Sequence, residues 1–341
     1  MGRRNGLMIG LEMKNLLFHF SIALAVVGCV APEVQQTKFI HEVSSQVKPW
    51  TSETFESTEE DFTFAIISDL TGGERAGVYS TAVEQLNRLD PTFVMSVGDL
   101  IEGATEDLDQ LKAEWDSFDD RTFQLNMPFF HLGGNHDLTN PVMLEYWKER
   151  FGPLYYHFVF DNVLFLMIDS EDYGEERMLE VNAARNIAMK IISGELEGTF
   201  DESAYAAMEE SKVGGISIEQ QAYFQAVLSK YPNVRWTFLF MHKPVWKRND
   251  ELGLGSIEEV LKGRPYTVYN GHEHSFSHRR RNGSDYTILG TTGGYQNPID
   301  SMAFDHVTLV RMDSTLVVTH LKMKGILNEK GALPEGSELV R

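Results

Sequence analysis

His131-Leu132-Gly133-Gly134-Asn135-His136-Asp137-Leu138 is the stretch on which the reading of this chain turns. Pro128-Phe129-Phe130 just ahead of it reads as a short buried strand. The glycine pair breaks that strand in a sharp turn and presents Asn135, His136 and Asp137 together at its end. An amide oxygen, an imidazole and a carboxylate side by side can serve as a metal ligand, a proton donor and the group that orients the donor. Alone, such a run is equally well a polar turn. It gains weight because four more strand ends in the chain carry metal-type ligands.

Upstream, residues 62–67 form an apolar strand that delivers Asp69 to a glycine-rich loop, and residues 93–97 form a second that ends in Gly98-Asp99. The glycine spacing in the loop Thr71 to Gly77 is wrong for a dinucleotide-binding turn. Downstream, residues 234–240 carry His242 at their end, and residues 266–269 lead into Gly271-His272-Glu273-His274. Two histidines two apart on an extended backbone share one face, so they could reach two ions lying side by side. Helical patterns lie between these strands, and Asp161-Asn162 and Asn282-Gly283 mark hairpin turns. The alternation predicts an α/β core with both parallel and antiparallel pairing.

Thirty basic against fifty acidic residues give a formal net charge of −20, and a surface of that sign repels polyanions. Nucleic acid is therefore not expected as a partner, whereas a small phosphorylated substrate drawn by a local cation fits. At 341 residues the chain suits one large domain or two modest ones.

Arg3, Arg4 and Lys14 flank an apolar run over 16–27 that is too short to span a bilayer comfortably. It ends in Val26-Val27-Gly28-Cys29, which resembles a bacterial lipobox. The expectation is a signal peptide over 1–28 and a lipidated Cys29 that anchors the protein to a bacterial membrane on its periplasmic side; ordinary cleavage near Ala31 is the alternative. Cys29 is the only cysteine, which rules out disulfides and thiolate metal sites within the monomer. Polar residues 29–60 read as a tether reaching roughly 30 Å, with Phe39, Ile40 and Trp50 leaving open an extra edge element packed on the domain. The domain itself is expected over 61–328, with a disordered tail over 329–341. Acidic residues 171–215 interrupt the alternation, yet Met178, Val181, Ala188, Ile191 and Ile192 keep helical spacing. They predict an inserted helical subdomain, either a lid over the site or a solvated decoration.

Asp69, Asp99, Asn135, His136, His242, His272 and His274 all follow apolar strands, the position at which open α/β sheets place their sites. Carboxylate, amide and imidazole donors without thiolate suit Mn, Fe or Zn. Gly98-Asp99, Gly134-Asn135-His136-Asp137, His242 in Phe240-Met241-His242-Lys243-Pro244, and Gly271-His272-Glu273-His274 together resemble the calcineurin-like metallophosphoesterases, over roughly residues 62–322.

The resemblance implies a four-layer α/β/β/α sandwich with mixed sheets and two divalent metal ions about 3.5–4 Å apart. On that pattern Asp99 bridges the ions, Asp69 and His274 hold the first, and Asn135, His242 and His272 hold the second. A hydroxide between the ions would attack a phosphomonoester or phosphodiester, His136 would protonate the leaving oxygen or stabilise its charge, and Asp137 would orient His136. The family's first motif is Asp-x-His, whereas this chain reads Asp69-Leu70-Thr71. The first ion thus lacks a ligand: a water fills the gap, another side chain such as Glu74 swings in, or the first site is weak and the enzyme works with less metal; a retained but weaker site is favoured, because Asp69, Asp99 and His274 are all present. Arg75 is a candidate for binding substrate phosphate. The alternative to a working enzyme is a degenerate lipoprotein that binds metal or a partner without turnover.

Overall fold

Strands Phe62–Ile67, Phe93–Ser96 and Val163–Ile168 are buried along almost their whole length, which apolar strands covered on both faces require. They belong to two sheets in the computed structural model, which describes residues 1–2, 38–55, 61–313, 315–323 and 339–340. One sheet runs in the order Leu339–Val340, Leu316–Lys322, His306–Met312, Phe62–Ile67, Phe93–Ser96, Phe129–Phe130, its last three strands parallel. The other runs Phe39–His41, Tyr156–Phe160, Val163–Ile168, Trp236–Met241, Tyr266–Asn270, Ser284–Ile288, Ser277–Arg281, with a parallel centre.

The sheets pack face to face through aromatic side chains. Phe64 and Phe93 of the first meet Phe165 and Phe238 of the second, with Phe64 and Phe238 edge to face at 5.0 Å. Each such ring contributes about 1.5–3 kcal/mol by leaving water. Helices Val78–Leu89, Leu108–Thr122 and Pro141–Phe151 cover the outer face of one sheet with Leu86, Trp115 and Trp147. Helices Ile218–Lys230 and Gly255–Val260 cover the other with Phe224, Leu228 and Ile257. The result is the four-layer α/β/β/α sandwich with mixed sheets. Parallel strands within each sheet end on one side, so their following loops converge there.

Two expectations about the ends of the chain need correction. Residues 38–55 are not tether: Phe39–His41 pairs antiparallel with Tyr156–Phe160, and Trp50 is buried against Phe39, Phe130 and Tyr156. Burial of those aromatic rings outweighs the polar sequence around them. In the expected tail, Leu339–Val340 pairs with Leu316–Lys322. The signal segment beyond Gly2, Cys29, and residues 30–37, 56–60 and 324–338 lie outside the described residues. Among the described residues no helix is long and apolar enough to cross a membrane.

Residues 171–215 leave and rejoin the domain at one point, where Glu171 bridges Gly215. Between them lie helix Glu175–Ile192 and the short turns Phe200–Glu202, Ala204–Ala207 and Glu209–Ser211. Val181, Ala184, Ala188 and Tyr205 give this excursion a small core of its own, and Arg177 pairs with Glu210 across it.

Candidate metal centre

Six of the seven strand-end residues meet in one place. Asp99, His242 and His272 form one group of potential ligands, and Asp69, Asp99 and His274 a second, with the donor atoms of each group within 4.8 Å of one another. Asp99 is common to both. Asn135 joins the first group through its Oδ1, 3.2 Å from His242 Nε2, which in turn lies 3.1 Å from Asp99 Oδ2. His274 Nε2 lies 3.3 Å from Asp69 Oδ1.

The backbone is bent to bring these groups in. Asp69, Asp99, His272 and His274 have φ of 45°, 56°, 75° and 53°, the left-handed region that non-glycine residues avoid at a cost of about 1–2 kcal/mol each. Strain gathered on four site residues is what a functional constraint leaves behind. The correction to the extended-backbone reading follows: His272 and His274 lie in a loop of left-handed residues and turn to different groups of ligands. Gly134 is needed for close approach rather than for a positive φ, because a Cβ there would collide with Asp99 and His242.

Each cage imidazole has one nitrogen committed to a backbone carbonyl. His242 Nδ1 donates to Val97 O at 2.9 Å, His272 Nε2 to Ser211 O at 2.9 Å, and His274 Nδ1 to Tyr295 O at 2.6 Å. A carbonyl only accepts, so these contacts fix the tautomer of each neutral ring and turn the other ring nitrogen toward the cage. Such outer partners are the ordinary support of metal-bound histidine.

The charges agree. Burial opposes ionisation of Asp99, but His242 and His136 hold its carboxyl well below the usual range. Burial likewise opposes a charge on His242 and His274, yet Asp99 and Asp69 beside them raise each to about 9. Burial, with Lys243 and His242 beside it, holds the third imidazole, His272, well below the usual range, and the donor set of carboxylate, amide and imidazole fits two divalent ions sharing Asp99.

The sequence matches the calcineurin-like phosphoesterase family over residues 62–276. The chain belongs to that family. Its members are metal-dependent hydrolases of phosphate esters with a dinuclear centre, and this chain brings together two overlapping groups of candidate ligands. Among solved structures, a dimetal phosphatase from Danio rerio is similar in fold, at 15% identity and TM-score 0.54 over 76% of this chain and 95% of that one. A PhoD structure is similar at 10% identity and TM-score 0.54, covering 84% and 69% respectively. No curated protein matches in sequence.

Against the family pattern, several side chains are placed otherwise than expected. Thr71 Oγ1 donates to the carbonyls of Ile101 at 2.7 Å and Asp99 at 3.2 Å, a buried position beside the shared ligand that adds no donor to the cage. Glu74 is paired with Arg121 and does not replace it. Among the described residues the Asp137 carboxylate makes no hydrogen bond to the His136 ring: it accepts from the backbone N–H of Leu100, Ile101 and Gly134, which holds the two turns together. The orienting bond comes instead from Glu102, whose carbonyl accepts from His136 Nδ1 at 2.7 Å. Arg75 is tied to Asp305 at 2.6 Å and to Gly294 O at 2.9 Å, so its guanidinium braces a loop.

His136 lies on the rim of a cavity of about 350 Å³ that also takes in Asp99, Asn135, His272, His274 and Tyr295. With Nδ1 donating to Glu102, Nε2 is an acceptor, and Arg185 Nη2 lies 3.4 Å from it. Burial holds the His136 pKa below its ordinary value, with Asp99 raising it and Arg185 adding to the depression. Arg185 was not singled out from the sequence. Its signal was nonetheless present: it stands at the helical spacing of Val181 and Ala188, a charge within an apolar stripe.

Proposed function

We propose that the protein hydrolyses the phosphate ester of a small molecule, using two divalent ions such as Mn, Fe or Zn held by Asp69, Asp99, Asn135, His242, His272 and His274. The reading rests on one observation above others: three imidazoles, each with one nitrogen given to a backbone carbonyl, turn their free nitrogens toward two groups of ligands that share a carboxylate. The ions would supply an activated water and neutralise charge on the phosphate. The chain's own groups do the rest. Val97, Ser211 and Tyr295 fix the ligand tautomers through their carbonyls, Asp137 locks the turns, and Glu102 aims His136 at the cavity. Once protonated at Nε2, His136 is placed to give that proton to the departing oxygen.

Hydrolysis of 4-nitrophenyl phosphate or its bis ester should be abolished by chelation and restored by Mn. His136→Ala should slow esters of aliphatic alcohols about 100-fold and nitrophenyl esters far less, since nitrophenolate leaves without a proton. Equal losses on both would remove the acid role.

Thr71 supports a second reading, a protein that binds metal or a partner without turnover. Metal-loaded protein inert toward a broad panel of phosphate esters would favour it. Val26-Val27-Gly28-Cys29 supports action outside the cytoplasm from a lipid anchor. Cys29→Ser should then shift the protein from the membrane to the soluble fraction.

A further inference from the structure

Helix Glu175–Ile192 carries two arginines with opposite fates. Arg177 is half-exposed and bonded to Glu180 and Glu210. Arg185 is 4% exposed, forms no ion pair among the described residues, and has a buried Nη1 with no hydrogen-bond partner. Among the described residues its Nη2 reaches only His136 Nε2. A buried guanidinium without a counter-charge is costly, and a chain with fifty acidic residues does not lack carboxylates to pair with it. An anion that comes and goes would supply the missing partner. A guanidinium cannot ligate a cation, and this one lies against the residue that faces the cavity beside Asp99.

The helix is held firmly enough for such a task. The base of the excursion is pinned by the Glu171–Gly215 bridge and by the buried pair of Lys243 Nζ with Glu171 at 2.8 Å, next in sequence to the ligand His242. The excursion also supplies Ser211 O to the ligand His272.

We propose that Arg185 binds non-bridging oxygens of the substrate's phosphate, and that residues 171–215 thereby select phosphomonoesters over phosphodiesters, an inference that rests on the phosphoesterase reading above. The forked N–H groups of a guanidinium match two phosphate oxygens. Attraction scales with charge, so the dianion of a monoester gains more from it than the monoanion of a diester. Phosphate that takes over Nη2 also frees His136 Nε2.

The test uses the full-length, Mn-loaded protein with Arg185→Met and Arg185→Lys. Arg185→Met should lower kcat/KM for 4-nitrophenyl phosphate about 100-fold, with KM rising about tenfold, and for bis(4-nitrophenyl) phosphate less than about fivefold. Affinity for inorganic phosphate by calorimetry should fall about tenfold, and Arg185→Lys should recover part of it. The thermal midpoint of Arg185→Met without metal or phosphate should hold or rise, since an unpaired buried charge has been removed. Equal losses on the two esters overturn the selectivity, and unchanged phosphate affinity overturns the binding role, whatever the midpoint does. If the wild type hydrolyses neither ester, the phosphoesterase reading fails, and phosphate affinity alone decides Arg185.

Discussion

On one side of Asp99 stand Asn135, His242 and His272; on the other, only Asp69 and His274. The two halves of the centre share a carboxylate and a strained backbone but differ in the number of donors. They differ in shelter too, for His242 is fully buried while the His274 side chain is 18% exposed, beside the cavity lined by Tyr295, Asn297 and Asp300. Both halves nevertheless open on that cavity, through Asn135 and His272 on one side and His274 on the other, and Asp69 is fully buried, so the number of donors is what separates them. The difference in donor number predicts unequal affinities, with the ion on the side of Asn135, His242 and His272 bound more tightly.

The most severe way to break the comparison is Asp99→Asn. If both halves depend on that carboxylate, both ions are lost together and activity falls more than the roughly 10–100-fold that outer-shell changes cost. Retention of one ion by elemental analysis would show that the halves are independent. Next in size, His242→Ala and His274→Ala should each remove one ion, and the ion that survives His274→Ala should be the tighter, by at least about tenfold in a chelator competition. Equal affinities would end the asymmetry. A smaller effect is expected from Thr71→His, which puts an imidazole beside Asp99 at the loss of two hydrogen bonds to carbonyls. It should strengthen the open half about tenfold; an unchanged metal content would count against this.

An effect on folding rather than on metal affinity bounds the pH range in which these titrations can be run. Burial depresses His131 and His306 to about 3 despite a carbonyl partner for each. From pH 6.5 downward the unfolded chain takes up protons that the folded chain refuses until near pH 3. Stability from these groups is therefore whole above pH 6.5 and drains as pH falls through that window, by up to about 1.4 kcal/mol per pH unit for each histidine. His131→Phe, which keeps a ring against Phe151, should flatten the acid limb of urea-unfolding stability between pH 6.5 and 5. An unaltered slope would mean that His131 is not one of the groups responsible.

Much of the centre was legible because its ligands follow apolar strands, and strand ends can be read from composition. Asp69, Asp99, Asn135, His242, His272 and His274 all belong to that class. What was not legible has a common cause. The direction in which Thr71 and Asp137 point, and the left-handed turns at His272 and His274, depend on backbone dihedrals that residue type does not specify. The carbonyls of Val97, Glu102, Ser211 and Tyr295 have no side-chain signature at all. Residues 29–60 read as a tether because most of them are polar, with Phe39, Ile40 and Trp50 leaving open a packed edge element, and only the groove between the sheets shows what Phe39 and Trp50 bury against. Arg185 lay in plain sight as a charge within an apolar stripe, but the stripe's partner was unknown.

The sequence by itself determined the mixed α/β class, the set of donors, and the absence of a histidine at Thr71, since periodicity and residue chemistry are local properties. Only the tertiary structure decided which donors share an ion, that Arg75 and Asp137 brace loops, and that the inserted helix reaches His136. Those facts depend on contacts between segments 30 to more than 200 residues apart, and the sheets, not local preference, set such distances.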